Sequence, residues 1–320
     1  MPVDTINLAD IQSQTVHWTW EPYIPTGSVT VLLGDGGIGK SFLSLAIAAA
    51  ITRGAPLPGN DTALPPSDVI IQNAENPLAT VVKPRLEMLG ADCSKVHIIN
   101  ESESRLTLTD ERIEAAIIQH NARLIIADPV QSYLGTGISM NRAESVRLVL
   151  TRLEQIAERT KSAFLLVGHL NKGNGKAQYR GLGSVDIFNS VPSVLYLGKS
   201  DEDADARVMV HGKSNLDGLG ASLAFSLKKP EGFRWIGECD VTLDELLAQK
   251  PSGGRMGRID EAEEFLRDAL FEGGMSAADI FELAEDNGIS EKTLKRAKKN
   301  IGIKTTRVNG HWFWSPKEIQ

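Results

Sequence analysis

The chain has 320 residues, enough for one large core and a small second domain. With 42% hydrophobic and 23% charged residues it has the composition of a soluble globular protein, and its net charge of −7 excludes a uniformly basic nucleic-acid coat. Its two cysteines, Cys93 and Cys239, have no metal-type spacing, the start "MPVDTINLAD" is acidic, and no apolar run approaches ~18 residues; together these predict a reduced, cytoplasmic chain with no membrane partner.

Short Val/Ile/Leu runs alternate with helical stretches from Ser28 to about Glu238. The runs are "SVTVLLG", "DVIIQNAEN", "VHIIN", "RLIIADP", "AFLLVGH" and "SVLYLGK". Four of them (the first, second, fourth and fifth) are almost continuously apolar, as strands of a parallel sheet buried on both faces should be. Helices are predicted over 40–52 and about 79–89, 109–120 and 142–160, the last opening on Asn141 with Glu144 three residues on. This order predicts an α/β core with a mostly parallel central sheet. The later runs "ARVMVHGKSN", "ASLAFSLKK" and "FRWIGE" follow without helices and read as antiparallel strands extending the sheet. Trp18, Trp20 and Tyr23 are expected to pack the N-terminal segment, 1–27, onto this core.

Residues 248–258, "AQKPSGGRMGR", lack periodicity and read as a linker between a 1–247 domain and a 259–320 module. In the module, Ile259–Phe271 and Ser276–Asn287 read as helices, and Ser290 caps a third that runs to about Asn300. "IKTTRVNGHWFW" reads as a hairpin turning on Asn309-Gly310, with Trp312, Phe313 and Trp314 packing its core. Three helices and a hairpin make a small winged-helix domain.

Gly34-Asp35-Gly36-Gly37-Ile38-Gly39-Lys40-Ser41 fits the phosphate-loop pattern G-x-x-x-x-G-K-[ST], between an apolar strand and a helix as the mechanism demands. Glycines let backbone N–H groups converge on phosphate oxygens, and the positive end of the following helix points there. Lys40 is expected to reach the β- and γ-phosphates of ATP, Ser41 to ligate Mg²⁺, and Phe42 to complete the nucleotide-contacting run. Asp128 ends "RLIIADP", the position of an acid that holds the Mg²⁺ shell, but Pro129 and no Glu follows it. The candidate base is therefore Glu75, at the end of another strand, where a carboxylate can orient the attacking water or simply be a solvated loop acid. His169 ends "AFLLVGH" and reads equally as a γ-phosphate sensor or a structural histidine.

An acid on a strand after the phosphate loop is the RecA-like arrangement. Within it the chain resembles the RepA-type ATPases, hexameric replicative helicases of plasmids, phages and prophages. The resemblance rests on "GDGGIGKS", "NAEN" with "RLEMLGAD", "IIADPVQSYLGTG", "VGHLNKG", "YRGLGSVDI" and "GKSNL", and covers roughly residues 15–240. The tail, with "GISEKTLKRAKKNIGI" and "GHWFW", looks like the winged-helix end of phage and prophage members. The resemblance implies a homo-hexamer with ATP between subunits and a cation supplied by the neighbour. Where relatives commonly carry Arg in an "ARSVL" context this chain reads "VPSVLYL", with Pro192. Lys213, in "GKSNL", resembles the family's trans lysine and is the preferred substitute, ahead of Arg180 and Arg207; a solvated strand-end lysine reads the same way.

Two segments suit nucleic acid. The loop 171–183, "NKGNGKAQYRGLG", has Lys172, Lys176 and Arg180 to track a single strand of DNA, Tyr179 to stack a base, and no acid. In the C-terminal module, residues 260–291 hold eleven acids against Arg267 alone, whereas 292–307 hold Lys292, Lys295, Arg296, Lys298, Lys299, Lys304 and Arg307 and no acid. That basic run coincides with the third helix and the wing, with Lys292, Lys295, Arg296 and Lys299 the candidates to meet double-stranded DNA. The expectation is a DNA-stimulated helicase; a nucleotide-gated regulator or loader that hydrolyses ATP without unwinding is the alternative.

Overall fold

The computed structural model describes residues 5–60, 64–135, 143–170, 190–200, 203–228, 232–248, 258–270, 275–286, 289–308 and 311–315. They belong to two compact units, one ending at Gln249 and the other running from Lys250 to Gln320. The expected cap at Asn141, most of the 248–258 linker and the whole 171–183 loop lie outside the described residues.

The first unit is built on a nine-stranded sheet. Its strands are β3 (Val29–Gly34), β4 (Val69–Asn73), β5 (Val96–His97), β6 (Leu124–Asp128), β7 (Ala163–His169), β8 (Ser193–Lys199), β9 (Ala206–Ser214), β10 (Ser222–Lys228) and β11 (Gly232–Cys239), in the spatial order β11-β10-β9-β8-β3-β7-β6-β4-β5. The six strands from β8 to β5 are parallel to their neighbours, and β9, β10 and β11 add antiparallel strands beyond β8. All nine runs read as strands therefore occur, although "VHIIN" contributes only the two residues of β5.

Alternation of side chains along each strand sends them to two different cores. Leu32, Ile71, Ile126 and Leu165 pack with helices α1 (Lys40–Arg53) and α2 (Lys83–Met88). Val31, Leu33, Ile125 and Phe164 pack on the other face with α3 (Glu111–His120) and α4 (Ala143–Thr160). Helix α1 is buried along almost its whole length, from Leu43 to Thr52, which explains its Ala- and Ile-rich, barely amphipathic sequence. Half-buried Glu154 of α4 accepts from the Ser28 hydroxyl at 2.8 Å and from the Val29 N–H at 3.1 Å, fixing that helix to the start of β3.

Of the N-terminal segment expected to pack on the core, residues 5–17 are exposed, and only the stretch from Trp18 onward closes the antiparallel side. β1 (Trp18–Trp20) and β2 (Ile24–Pro25) form a hairpin, and Trp20 and Tyr23 are buried as expected. Trp20 meets Trp235 at 5.8 Å, and Trp235 continues to Phe233 at 5.0 Å and Phe225 at 5.7 Å. Helix α5 (Leu243–Ala248) ends the unit and packs Leu246 against Gly198.

The second unit has the order α6 (Arg258–Ala269), β12 (Met275–Ser276), α7 (Ala277–Asp286), α8 (Glu291–Asn300), β13 (Lys304–Val308) and β14 (His311–Ser315). The strands form an antiparallel sheet in the order β12-β14-β13, with Val308 opposite His311; the expected turn at Asn309-Gly310 lies outside the described residues. Ser290 caps α8 through its hydroxyl, which accepts from the Thr293 N–H at 3.3 Å. Ala262, Leu266, Ile280, Leu294, Ala297 and Trp314 fill the core. Trp312 departs from expectation: although it shares a face of β14 with Trp314, it is 55% exposed, with the Arg307 guanidinium 5.5 Å from its ring.

Among buried polar groups, His211 of β9 has a defined tautomer. The Gly220 N–H donates to Nδ1 at 3.0 Å, so Nε2 carries the proton toward the Ser193 hydroxyl at 3.1 Å, which itself donates to the Tyr23 carbonyl at 2.7 Å. Burial lowers the His211 pKa from 6.5 to about 4. The unfolded chain therefore binds a proton near pH 6.5 that the folded chain refuses until about pH 4, and stability falls as pH drops through that window. Urea unfolding of His211→Gln should lose part of this pH dependence between 6.5 and 4; an unchanged profile would show that His211 is not its source.

Candidate functional site

Because β3, β7, β6 and β4 are parallel neighbours, their carboxyl ends open on one edge of the sheet. Each expected chemical group leaves the sheet there. Gly34 pairs with His169, and Asn73 pairs with Asp128. Glu75 lies two residues beyond the end of β4.

The loop 35–39 owes its shape to its glycines. A Cβ on Gly34 would stand 2.6 Å from the Leu197 carbonyl oxygen of β8, so no side chain fits between the two neighbouring strands. Gly37 and Gly39 have φ of 68° and 107°, which favours glycine, and Gly39 leads directly into α1. A turn from Asp35 to Ile38 closes the loop, and the Ile38 side chain is buried. Gly36 faces open space. Phe42 lies beneath Arg85 of α2, whose guanidinium is 4.5 Å from its ring centroid. Arg207 of β9 supports the loop from the other side, its Nε donating to the Ile38 carbonyl at 3.1 Å.

Lys40 is only 6% exposed. Its ammonium donates to the carbonyls of Gly34 and Asp35, both at 2.8 Å, and lies 3.3 Å from His169 Nδ1. An ammonium can only donate, so this nitrogen of His169 accepts and Nε2–H turns toward Glu75, whose Oε1 is 3.6 Å away. The chain Lys40–His169–Glu75 thus joins the loop to the ends of two strands. The two carboxylates respond to opposite environments. His169 holds the half-exposed Glu75 below the usual carboxylate range, against the cost of partial burial. Burial pushes Asp128 upward, opposed by a hydrogen bond from Ser41. Buried Asp128 and the Ser41 hydroxyl are thereby brought together, and a hard pair of oxygen donors suits Mg²⁺. When bound there, Mg²⁺ would neutralise phosphate charge.

Sequence reasoning passed over Asn73. Its Oδ1 accepts from the Asn76 N–H at 2.7 Å, which turns Nδ2 toward Asp128 Oδ2 at 3.4 Å. The signal was present in "NAEN", one strand register from Asp128, but required the pairing of β4 with β6 to be read.

Lys213 does not join this cluster within one chain. It pairs with Val194 at the start of β8, whereas Gly34 pairs with Leu197 further along it; Lys213 therefore sits toward the opposite edge. Its ammonium donates to the Val191 carbonyl at 2.7 Å, and burial lowers its pKa. Lys172, Lys176, Tyr179 and Arg180 lie outside the described residues. In the second unit Lys292, Lys295, Arg296 and Lys299 are all exposed on α8, opposite buried Leu294 and Ala297. Their i, i+3, i+4, i+7 spacing places them on one stripe, and Lys295 pairs with Glu291. No helix among the described residues is long and apolar enough to cross a membrane.

Residues 1–175 match the family model described as the AAA domain. The chain is also similar to the DNA repair protein RadA of Bacillus subtilis (strain 168), at 26% identity over 172 residues, which is 53% of this chain. It covers 32% of that relative, about a third of its length. A match over more than half of the chain, on a parallel sheet whose first long strand feeds a phosphate loop, shows that the chain belongs to the AAA domain family and contains a RecA-like P-loop ATPase core.

Proposed function

We propose that this chain hydrolyses ATP to drive movement on DNA, as a replicative helicase of the RepA type. The observation that carries the reading is the Lys40–His169–Glu75 chain beside Ser41 and Asp128, at the edge where a phosphate loop presents its N–H groups. In this scheme Gly34 to Phe42 hold the nucleotide, with Lys40 on its β- and γ-phosphates, and Ser41 and Asp128 hold Mg²⁺. Glu75, kept ionised by His169, accepts a hydrogen bond from the water whose oxygen attacks the γ-phosphorus. The bond to the β-phosphate oxygen breaks, leaving ADP and inorganic phosphate.

Loss of the γ-phosphate changes what Lys40 and His169 contact. Because His169 ends β7, that change passes directly to the following loop, in which Lys172, Lys176, Tyr179 and Arg180 grip single-stranded DNA. Lys213 is too far along the sheet to serve its own nucleotide, which fits a role on a neighbour's γ-phosphate in a homo-hexamer. The α6-β12-α7-α8-β13-β14 order of the second unit supports a winged helix that meets duplex DNA through the basic stripe of α8. A relative named for DNA repair points to the same polymer.

Pro192, just ahead of β8, gives a specific reason to keep a second reading. It offers no cation to a neighbouring phosphate, as a nucleotide-gated regulator or loader would tolerate. Strand displacement on a forked duplex separates the two: the motor unwinds it, and the regulator shows DNA-stimulated ATPase alone.

Lys40→Ala should abolish turnover. Glu75→Gln should lower kcat by about 10²–10⁴-fold while leaving nucleotide affinity within a few-fold. Normal hydrolysis by Glu75→Gln would place the base elsewhere, and ATPase rates indifferent to single-stranded oligonucleotide would remove the motor. Lys295→Glu with Arg296→Glu should weaken duplex binding and make its salt dependence shallower by about one unit of slope per lost phosphate contact. Unchanged titrations would take α8 out of the DNA interface.

A further inference from the structure

The opposite edge of the same sheet carries a cluster that the nucleotide chemistry does not use. Asp68 immediately precedes β4, His97 is the second residue of the edge strand β5, and His120 is the last residue of α3. One ligand atom from each lies within 4.8 Å of the other two. His97 Nε2 is 2.7 Å from Asp68 Oδ2, and the His97 and His120 rings stack with centroids 3.6 Å apart and planes 17° from parallel. We propose that Asp68, His97 and His120 form a binding site for a divalent transition-metal ion of the Zn²⁺ class.

The donor set argues for that class. Two imidazole nitrogens and one carboxylate oxygen suit Zn²⁺ and its neighbours, whereas Mg²⁺ and Ca²⁺ prefer oxygen alone. Zn²⁺ at about 2.0–2.1 Å from four ligands holds them about 3.4 Å apart, so rotations of these side chains close the cluster without moving a strand. The ion takes the place of the proton shared by His97 Nε2 and Asp68 Oδ2, and that proton leaves to solvent. A water fills the fourth position.

The surroundings are arranged as an outer shell. Lys95 Nζ donates to the other carboxylate oxygen, Asp68 Oδ1, at 3.1 Å, leaving Oδ2 toward the histidines. Asp68 is further fixed through its backbone, because the Arg123 N–H donates to its carbonyl at 2.8 Å. The carboxyl-terminal carbonyls of α3, a ten-residue helix, point their negative end at the His120 side. Asp68 and His97 side chains are 23% and 24% exposed, sheltered yet open to an ion from solvent. Binding would clamp the edge strand β5 and the end of α3 to the start of β4.

Zn²⁺ titration of the full chain, after chelator treatment and against a chromophoric competitor, tests this. One ion per chain is expected, with protons released as it binds. Co²⁺ should give the visible absorption of a four-coordinate site. His97→Gln and His120→Gln, made separately, should each weaken binding by more than the about 10–100-fold that loss of an outer-shell partner costs, with Lys95→Gln keeping the stoichiometry. The melting temperature should rise with Zn²⁺ in the wild-type chain and in Lys95→Gln, and not in either histidine variant. No binding by the wild-type chain, or binding by either histidine variant as tight as the wild type's, would overturn the proposal. Neither readout depends on ATP hydrolysis.

Discussion

The buried ammonium of Lys40 is the interaction on which the carboxyl edge depends. A charged amine that is 6% exposed must find partners for its three donors, because an unpaired charge in that setting costs several kcal/mol. It finds two carbonyls of its own loop and the His169 ring. The loop carbonyls fix the conformation that glycine makes accessible, and the ring brings in β7. One side chain therefore joins strand end, loop and helix start.

The two carboxylates beside that ammonium are set apart chiefly by His169 and by burial, with the Lys40 charge a smaller contribution to each. Glu75 follows β4 and Asp128 ends its neighbour β6, yet their environments push their proton affinities apart. Glu75 is half exposed and faces His169, so it stays ionised. Asp128 is buried beside Ser41, where only hydrogen bonds and nearby cations keep a negative charge tolerable. Such separation lets two residues of similar chemistry take different parts, one near water and one near a cation.

Much of this was legible in the sequence because it is written locally. The phosphate loop is a contiguous pattern, and continuous apolar runs declare strands with two buried faces. Asp128, Glu75 and His169 could be singled out because each ends or just follows such a run. What stayed hidden depends on pairings distant in sequence. Arg207 reaches Ile38 only because β9 lies next to β8, which lies next to β3. Lys213 lies one residue from the end of β9, but the strand's antiparallel direction sends it to the other edge. Trp312 and Trp314 look alike in "GHWFW" and share a face of β14, yet only Trp314 reaches the core, where it packs against Phe281 of α7. Asp68, His97 and His120 are spread over more than fifty residues with no motif spacing.

The direction of the strands also accounts for the division of charge between the two edges. In a sheet of parallel strands with returning helices, helix N-termini collect at the carboxyl edge and helix C-termini at the amino edge. The first brings the partial positive end of α1 to the phosphate loop, a setting suited to an anion. The second brings the partial negative end of α3 to His120 and, beside it, the carboxylate of Asp68. β4 runs between these settings, starting one residue after Asp68 and ending two residues before Glu75. Anion chemistry at one edge and cation chemistry at the other then need no separate explanation: the handedness and direction of the chain supply both fields, and the side chains complete them.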